Sequence, residues 1–297
     1  NKLNQQTEQL SPLSSRPTYT ETENDLTVKA NKRTFIFSKK DGQLKGVSVD
    51  NRKINFANGP RFIGARRADR SLDQFYNHDD EKAKEKDRTY SEFPDAAVFT
   101  KLDVKEDGGN LVVTANYKLG NLDKAQWTIN PSGELALDYT YNFSGVVDLM
   151  GIRFDYPEDQ VISKRWLGAG PYRVWQNRIH GTQYDVWEND YNDPIPGETF
   201  TYPEFKGYFG DVSWMNIQTK EGTISLTNET PDAYIGVYQP RDGRDRLLYT
   251  LPESGISVLN VIPPVRNRVN STDLCGPSSQ PKWVNGPQTG RVIFRFM

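Results

Sequence analysis

The sequence predicts an all-β fold, a large antiparallel β-sandwich, and three observations carry that prediction. Short segments rich in β-branched and aromatic residues recur from residue 25 to the C-terminus, separated by Gly, Asn, Asp and Pro. No helical periods alternate with them, which excludes a (β/α)8 barrel or a doubly wound sheet. No fixed period repeats, which disfavours a propeller or solenoid. A chain of 297 residues is long enough for a substantial core, and 14 Phe, 15 Tyr and 6 Trp supply the apolar faces to fill it although only 35% of residues are hydrophobic.

In chain order, residues 1–24 (NKLNQQTEQLSPLSSRPTYTETEN) are polar, contain Pro and Ser, and lack the apolar centre of a signal peptide. They read as an interdomain linker of a larger protein, followed by a single domain over residues 25–297. Strands are expected at Thr34–Ser38 and Leu44–Asp50, with DGQ turning between them. Ser71–Arg88 has helix-like composition, and its charge run reads as a solvated excursion. Ala97–Val104 and Leu111–Leu119 are joined by KEDGGN, whose Asp-Gly-Gly supplies the positive φ that a tight reversal demands. Ala125–Asn130 and Glu134–Ser144 follow, joined by NPSGE. The second of these alternates strictly, with Leu135, Leu137, Tyr139 and Tyr141 on one face and Ala136, Asp138, Thr140 and Asn142 on the other, so one face is buried and one solvated. Two or three strands are expected over Trp214–Val237, and Arg291–Met297 (RVIFRFM) reads as a terminal strand.

Composition narrows the partners. With 37 Lys plus Arg against 39 Asp plus Glu, the net charge of −2 gives no field to gather nucleic acid or an anionic membrane, so neutral partners such as sugars fit better. No run approaches the roughly 18 apolar residues of a membrane span. Cys275 is the only cysteine, so no intrachain disulfide or Cys-rich metal site forms. Asp185, Asp190 and Asp193 lack EF-hand spacing, and no metal is expected. The GAGP turn at Gly168–Pro171 is no phosphate cradle, because Pro171 removes an amide donor and aromatic residues follow instead of a helix; no cofactor is expected.

Four collinear stretches carry a resemblance: Phe35–Gly46 (FIFSKKDGQLKG), Gly59–Asp69 (GPRFIGARRAD), Trp166–Tyr191 (WLGAGPYRVWQNRIHGTQYDVWENDY) and Tyr202–Ile217 (YPEFKGYFGDVSWMNI). The third is the most specific, with Trp166, Gly168, Gly170, Pro171, Tyr172, Asn177, Arg178 and Gly181. In the fourth, Pro203, Glu204, Gly207, Asp211, Val212 and Trp214 fit. Together they resemble the C-terminal domain of family 2 glycoside hydrolases such as the microbial β-galactosidases, and GPYRVWQNR and YPEFKGY look closest to the Bacteroidetes branch. The second stretch departs from the family pattern, having Asp69, Arg70 and Ser71 where Thr-Asp-Asn-Asp is usual. The resemblance implies a β-supersandwich like that of galactose mutarotase, attached to a catalytic (β/α)8 barrel, in a periplasmic or secreted bacterial enzyme.

Hydrolysis in that family is retaining and uses two Glu side chains roughly 5 Å apart on the barrel. No segment here resembles the catalytic ones, so no catalytic residue is assigned to this chain. Mutarotase-type chemistry needs a positioned His with Glu, and only His78 and His180 are available. Sugar binding lays a pyranose face on an aromatic ring while polar groups bond its hydroxyls, so Trp187 and Tyr191, within WENDYND, are candidates. Arg178 beside Trp175 and Tyr172 either stacks on an aromatic or forms a buried pair with Glu204 or Asp211, which makes Trp175, Arg178 and Glu204 candidates too. Trp127 and Trp214 lie in alternating strands and are assigned to the core. By resemblance, Trp283 in QPKWVNGPQTG occupies the loop before the last strand from which a tryptophan reaches the barrel's substrate pocket. Three readings follow: a non-catalytic domain of a β-galactosidase-like enzyme, a free-standing carbohydrate-binding module, or an aldose-1-epimerase-type enzyme.

Overall fold

The structure, a computed structural model, describes residues 15–67, 90–191, 206–238, 251–264 and 276–297. Glu204, Cys275, Asp193 and the charged stretch Ser71–Arg88 with His78 lie outside the described residues.

Two antiparallel sheets make the fold. The first holds β1 (Thr18–Glu21), β2 (Asp25–Ala30), β3 (Arg33–Ser38), β4 (Leu44–Val49), β5 (Arg52–Ile54), β6 (Ala57–Arg67), β7 (Tyr90–Glu92), β12 (Leu149–Asp155), β17 (Tyr234–Val237) and β18 (Ile256–Val261). The second holds β8 (Val98–Asp107), β9 (Asn110–Lys118), β10 (Leu122–Ile129), β11 (Leu135–Val147), β13 (Val161–Gly170), β14 (Gln183–Asp190), β15 (Trp214–Thr219), β16 (Gly222–Asn228) and β19 (Lys282–Phe296). Their orders are β1-β2-β3-β4-β6-β12-β18-β17, with β5 on β4 and β7 on β6, and β14-β13-β15-β16-β19-β11-β10-β9-β8. The C-terminal strand thus lies in the middle of the second sheet, between β16 and β11.

The expected hairpin at KEDGGN is present: Asp107 pairs with Asn110, and Gly108 and Gly109 take φ of 59° and 91°. The β2–β3 and β4–β5 reversals use the same left-handed geometry at Asn31-Lys32 and Asp50-Asn51, positions without glycine. Strand β11 buries Leu135, Leu137, Tyr139 and Tyr141 as its alternation predicts.

Aromatic side chains fill the space between the sheets. Trp127 on β10 meets Phe37 of β3 at 5.9 Å and Phe154 of β12 at 6.1 Å, and Phe56 lies 5.1 Å from Phe294 of β19. A second apolar cluster, including Ile63, Ala65, Leu149 and Leu259, occupies the opposite face of the first sheet. That sheet is therefore covered on both sides over part of its area.

Three details depart from the sequence reading. The segment expected as linker contains β1, an edge strand whose side chains are all exposed. The last strand begins at Lys282, so Trp283 lies within it and not in a preceding loop. Trp214 points away from the core, because Met215 and Ile217 of β15 face inward; it is half-buried on the other face.

Burial pushes the Tyr139 hydroxyl up to about 12, and those of Tyr141 and Tyr208 are raised for the same reason. In the unfolded chain a tyrosine ionises near pH 10. The folded state keeps its proton longer, so Tyr139's contribution is intact below pH 10 and is lost as pH rises from 10 toward 12. The loss is about 1.4 kcal/mol per pH unit. An alkaline titration at the tyrosinate absorbance should show buried tyrosines ionising together with unfolding; smooth titration of every tyrosine near pH 10 in a folded chain would contradict this.

Candidate functional site

The two most specific sequence stretches meet in space. After β13, the chain turns at Gly170-Pro171 and runs back, with Val174 and Tyr208 exchanging backbone hydrogen bonds at 2.7 and 2.8 Å. Gly207 permits that approach, since a Cβ there would lie 2.1 Å from the Val174 carbonyl oxygen. Trp175 and Tyr208 pack edge to face at 5.7 Å and cap the second apolar cluster on the first sheet. The aromatic residues of this motif thus cover a β-sheet.

That placement removes Trp175 from the sugar-binding candidates, because it is 2% exposed and its faces are taken by core neighbours. Trp187 is half-buried; its indole crosses Gly170, where a Cβ would stand 2.4 Å from the ring, and its Nε1 donates to the Gln183 carbonyl at 3.2 Å. Tyr191 packs edge-on to Tyr238 at 5.8 Å, donates its hydroxyl to Glu158, and has the Lys164 ammonium 5.1 Å from its ring centre. These contacts pack Trp187 and Tyr191 against the edge of the main core. Arg178 is exposed, and its amide closes a turn onto the Trp175 carbonyl at 2.9 Å. Glu204, one of the two partners expected for its guanidinium, lies outside the described residues. His180 lies on the same exposed turn, where its carbonyl accepts the Tyr172 hydroxyl at 3.4 Å.

Trp283 differs from all of these. It is 70% exposed on β19, directly opposite Val146 in a pairing that continues over the thirteen residues of β11. The backbone just before it is tied to the motif turn: Gln176 Nε2 donates to the carbonyls of Ser278 at 2.9 Å and Gln280 at 2.7 Å, and the Gln176 amide donates to Pro263 at 3.0 Å. Asn177 Nδ2 adds a bond to Ser279 Oγ at 3.4 Å. Trp283, Trp175 and Arg178 are thus brought to one end of the molecule, with Gln176 as the link that sequence reasoning missed. The only sequence signal was an amide pair, Gln176-Asn177, inside an otherwise aromatic motif.

Such an arrangement offers an exposed ring on an ordered strand whose approach is tied to the motif turn. It is suited to packing on a sugar or a protein surface. Replacing Gln176 with alanine should cost about 1 kcal/mol, because two part-buried hydrogen bonds to backbone carbonyls are lost. Chemical denaturation checks this, and an unchanged midpoint would show the link to be unimportant.

Residues 29–264 match the family described as beta galactosidase small chain. No curated protein matches the sequence. Among solved structures, galactose 1-epimerase from Lactobacillus acidophilus superposes with a TM-score of 0.52 at 10% identity, over 96% of this chain and 99% of that one. A GalM/aldose epimerase homologue from C. elegans gives 0.41 at 9% identity over 95% and 99% of the two chains, and a mutarotase homologue (YeaD) from Salmonella typhimurium gives 0.40 at 10% over 97% and 95%. The likeness to the Lactobacillus enzyme is one of fold: a mutarotase-like β-sandwich of two antiparallel sheets.

Proposed function

The chain belongs to the beta galactosidase small chain family, and on that premise we propose that it is a non-catalytic domain of a family 2 glycoside hydrolase. In this reading it packs on the catalytic (β/α)8 barrel and turns Trp283 toward the sugar-binding region. The observation that carries it is the position of Trp283, 70% exposed on a strand anchored in the centre of a sheet. Tryptophan is highly buried on average, and it is favoured both as an interface anchor and as a sugar platform.

Mutarotase-type catalysis by the chain itself is the weaker reading. The fold alone does not bring activity with it, and an acid and base must be held together for ring opening. His180 sits on an exposed turn, away from the ordered strands that position reacting groups well.

The test compares nitrophenyl galactoside hydrolysis by this chain and by the parent polypeptide, with anomerisation of galactose measured alongside. The expected result is turnover by the parent enzyme and none by the chain alone in either assay. Glycoside turnover or faster anomerisation by the purified chain would overturn the reading.

A further inference from the structure

We propose that a cleft at the far end of the first sheet is a second carbohydrate site, one that holds a neutral oligosaccharide by hydrogen bonds. Strand β12 starts at Leu149, next to the end of β11 that carries the Trp283 pairing, and runs seven residues to Asp155. At roughly 3.3 Å per residue, its two ends are about 20 Å apart. At the Asp155 end a cleft of about 790 Å³ opens among the start of β6, the end of β12, the 156–158 loop and residues 253–255.

Its floor holds an unusual pair. Arg61 of β6 and Arg153 of β12 stand directly opposite one another in the ladder. Like charges facing across strands are disfavoured, so something must compensate them. Asp155 ion-pairs with Arg61 and also accepts Asn58 Nδ2 at 2.9 Å; Arg153 donates to the Glu253 carbonyl and lies 3.8 Å from Glu92. On the rim, Lys45 pairs with Asp25 at 2.9 Å. Even so, the Nε donors of both arginines are buried without an acceptor among the described residues.

The charge balance selects the ligand class. Lys45, Arg61 and Arg153 each face a carboxylate, and with Lys53 the four cations of the lining stand against Asp155, Glu158 and Glu253 of the lining and Asp25 on Lys45, so the cleft carries no excess positive charge of the kind that a phosphate or carboxylate ligand needs. What remains is donors from Arg and Asn interleaved with acceptors from Asp155 and Glu158, all lining one cavity. A sugar hydroxyl both donates and accepts, and neighbouring hydroxyls match such alternation. Tyr156 and Tyr238 line the wall but are only 4% and 8% exposed, so they offer no ring face for stacking. Binding is accordingly weak and dominated by hydrogen bonds.

Only the choice of a galactose polymer as probe rests on the proposed function; the site itself does not involve Trp283. The experiment titrates the full chain with galactotetraose by calorimetry or NMR, with inorganic phosphate as a parallel ligand. Saturable binding of the tetraose is expected, reduced roughly tenfold by Arg153→Gln and by Asn58→Gly. The Asn58 variant covers the case in which Arg153→Gln fails to fold, since glycine accepts the φ of 53° found there. Absence of saturable binding, displacement of the tetraose by phosphate, or loss confined to Trp283→Ala would each overturn the proposal. If the chain proves not to serve a galactosidase, cleft binding still stands or falls on the Arg153 and Asn58 variants.

Discussion

Replacing Trp283 with alanine in the intact enzyme should lower kcat/KM for galactosides by roughly ten- to a hundredfold, with the thermal midpoint nearly unchanged. That loss corresponds to about 1.4–2.8 kcal/mol of transition-state stabilisation. The two halves of the expectation come from the same geometry. A ring that is 70% exposed in this domain fills no core volume, so its removal leaves no cavity. If it is buried against the barrel or a sugar, its loss removes apolar contact and an aromatic face together. Trp283→Phe should recover most of the activity, because a smaller ring keeps a stacking surface. Kinetics of the three proteins together with their melting curves check this; equal losses of activity and stability would mean that Trp283 is a folding residue.

Trp127→Ala should be the most damaging single change to stability, at about 3–5 kcal/mol. The side chain is completely buried and touches Phe37 and Phe154 of the facing sheet, so it joins the two layers. Against a total stability of about 5–15 kcal/mol, such a loss leaves a marginal protein. Trp127→Phe should cost clearly less. It keeps a ring in the gap and removes an indole N–H that has no partner among the described groups. Urea unfolding of the two variants discriminates: similar midpoints would show that ring volume is not what holds the layers together.

Much of this architecture is legible in the sequence because sheet physics writes itself as a period of two. Strand β11 shows it plainly, and Gly108-Gly109 marks the β8–β9 hairpin without any tertiary information. What fails is whatever depends on the neighbouring layer. Strand β1 has no buried face, so no alternation marks it. The first half of β19 contains Gly286 and Pro287, which read as a loop, yet they pair with Phe143 and Asn142 along an exposed stretch of the ladder. Trp214 was assigned to the core as part of an alternating strand, but the parity of that strand puts Met215 and Ile217 there instead.

The same reason governs the site. Trp283 could be picked out by resemblance, while its exposure and its tether to Gln176 come only from the fold. Trp175 looked like a sugar platform because nothing in the sequence says that the outer face of the first sheet needs a cover. The Arg61–Arg153 pair joins residues far apart in the chain, and no local pattern announces that they face each other.

Oxidative footprinting at Trp283 tests the central idea most directly. The indole should react readily in the free chain and be protected once the domain is part of the whole hydrolase, with Trp127 unreactive in both. Equal reactivity of Trp283 in the two proteins would show that this ring faces neither barrel nor sugar, and the assigned role would be lost.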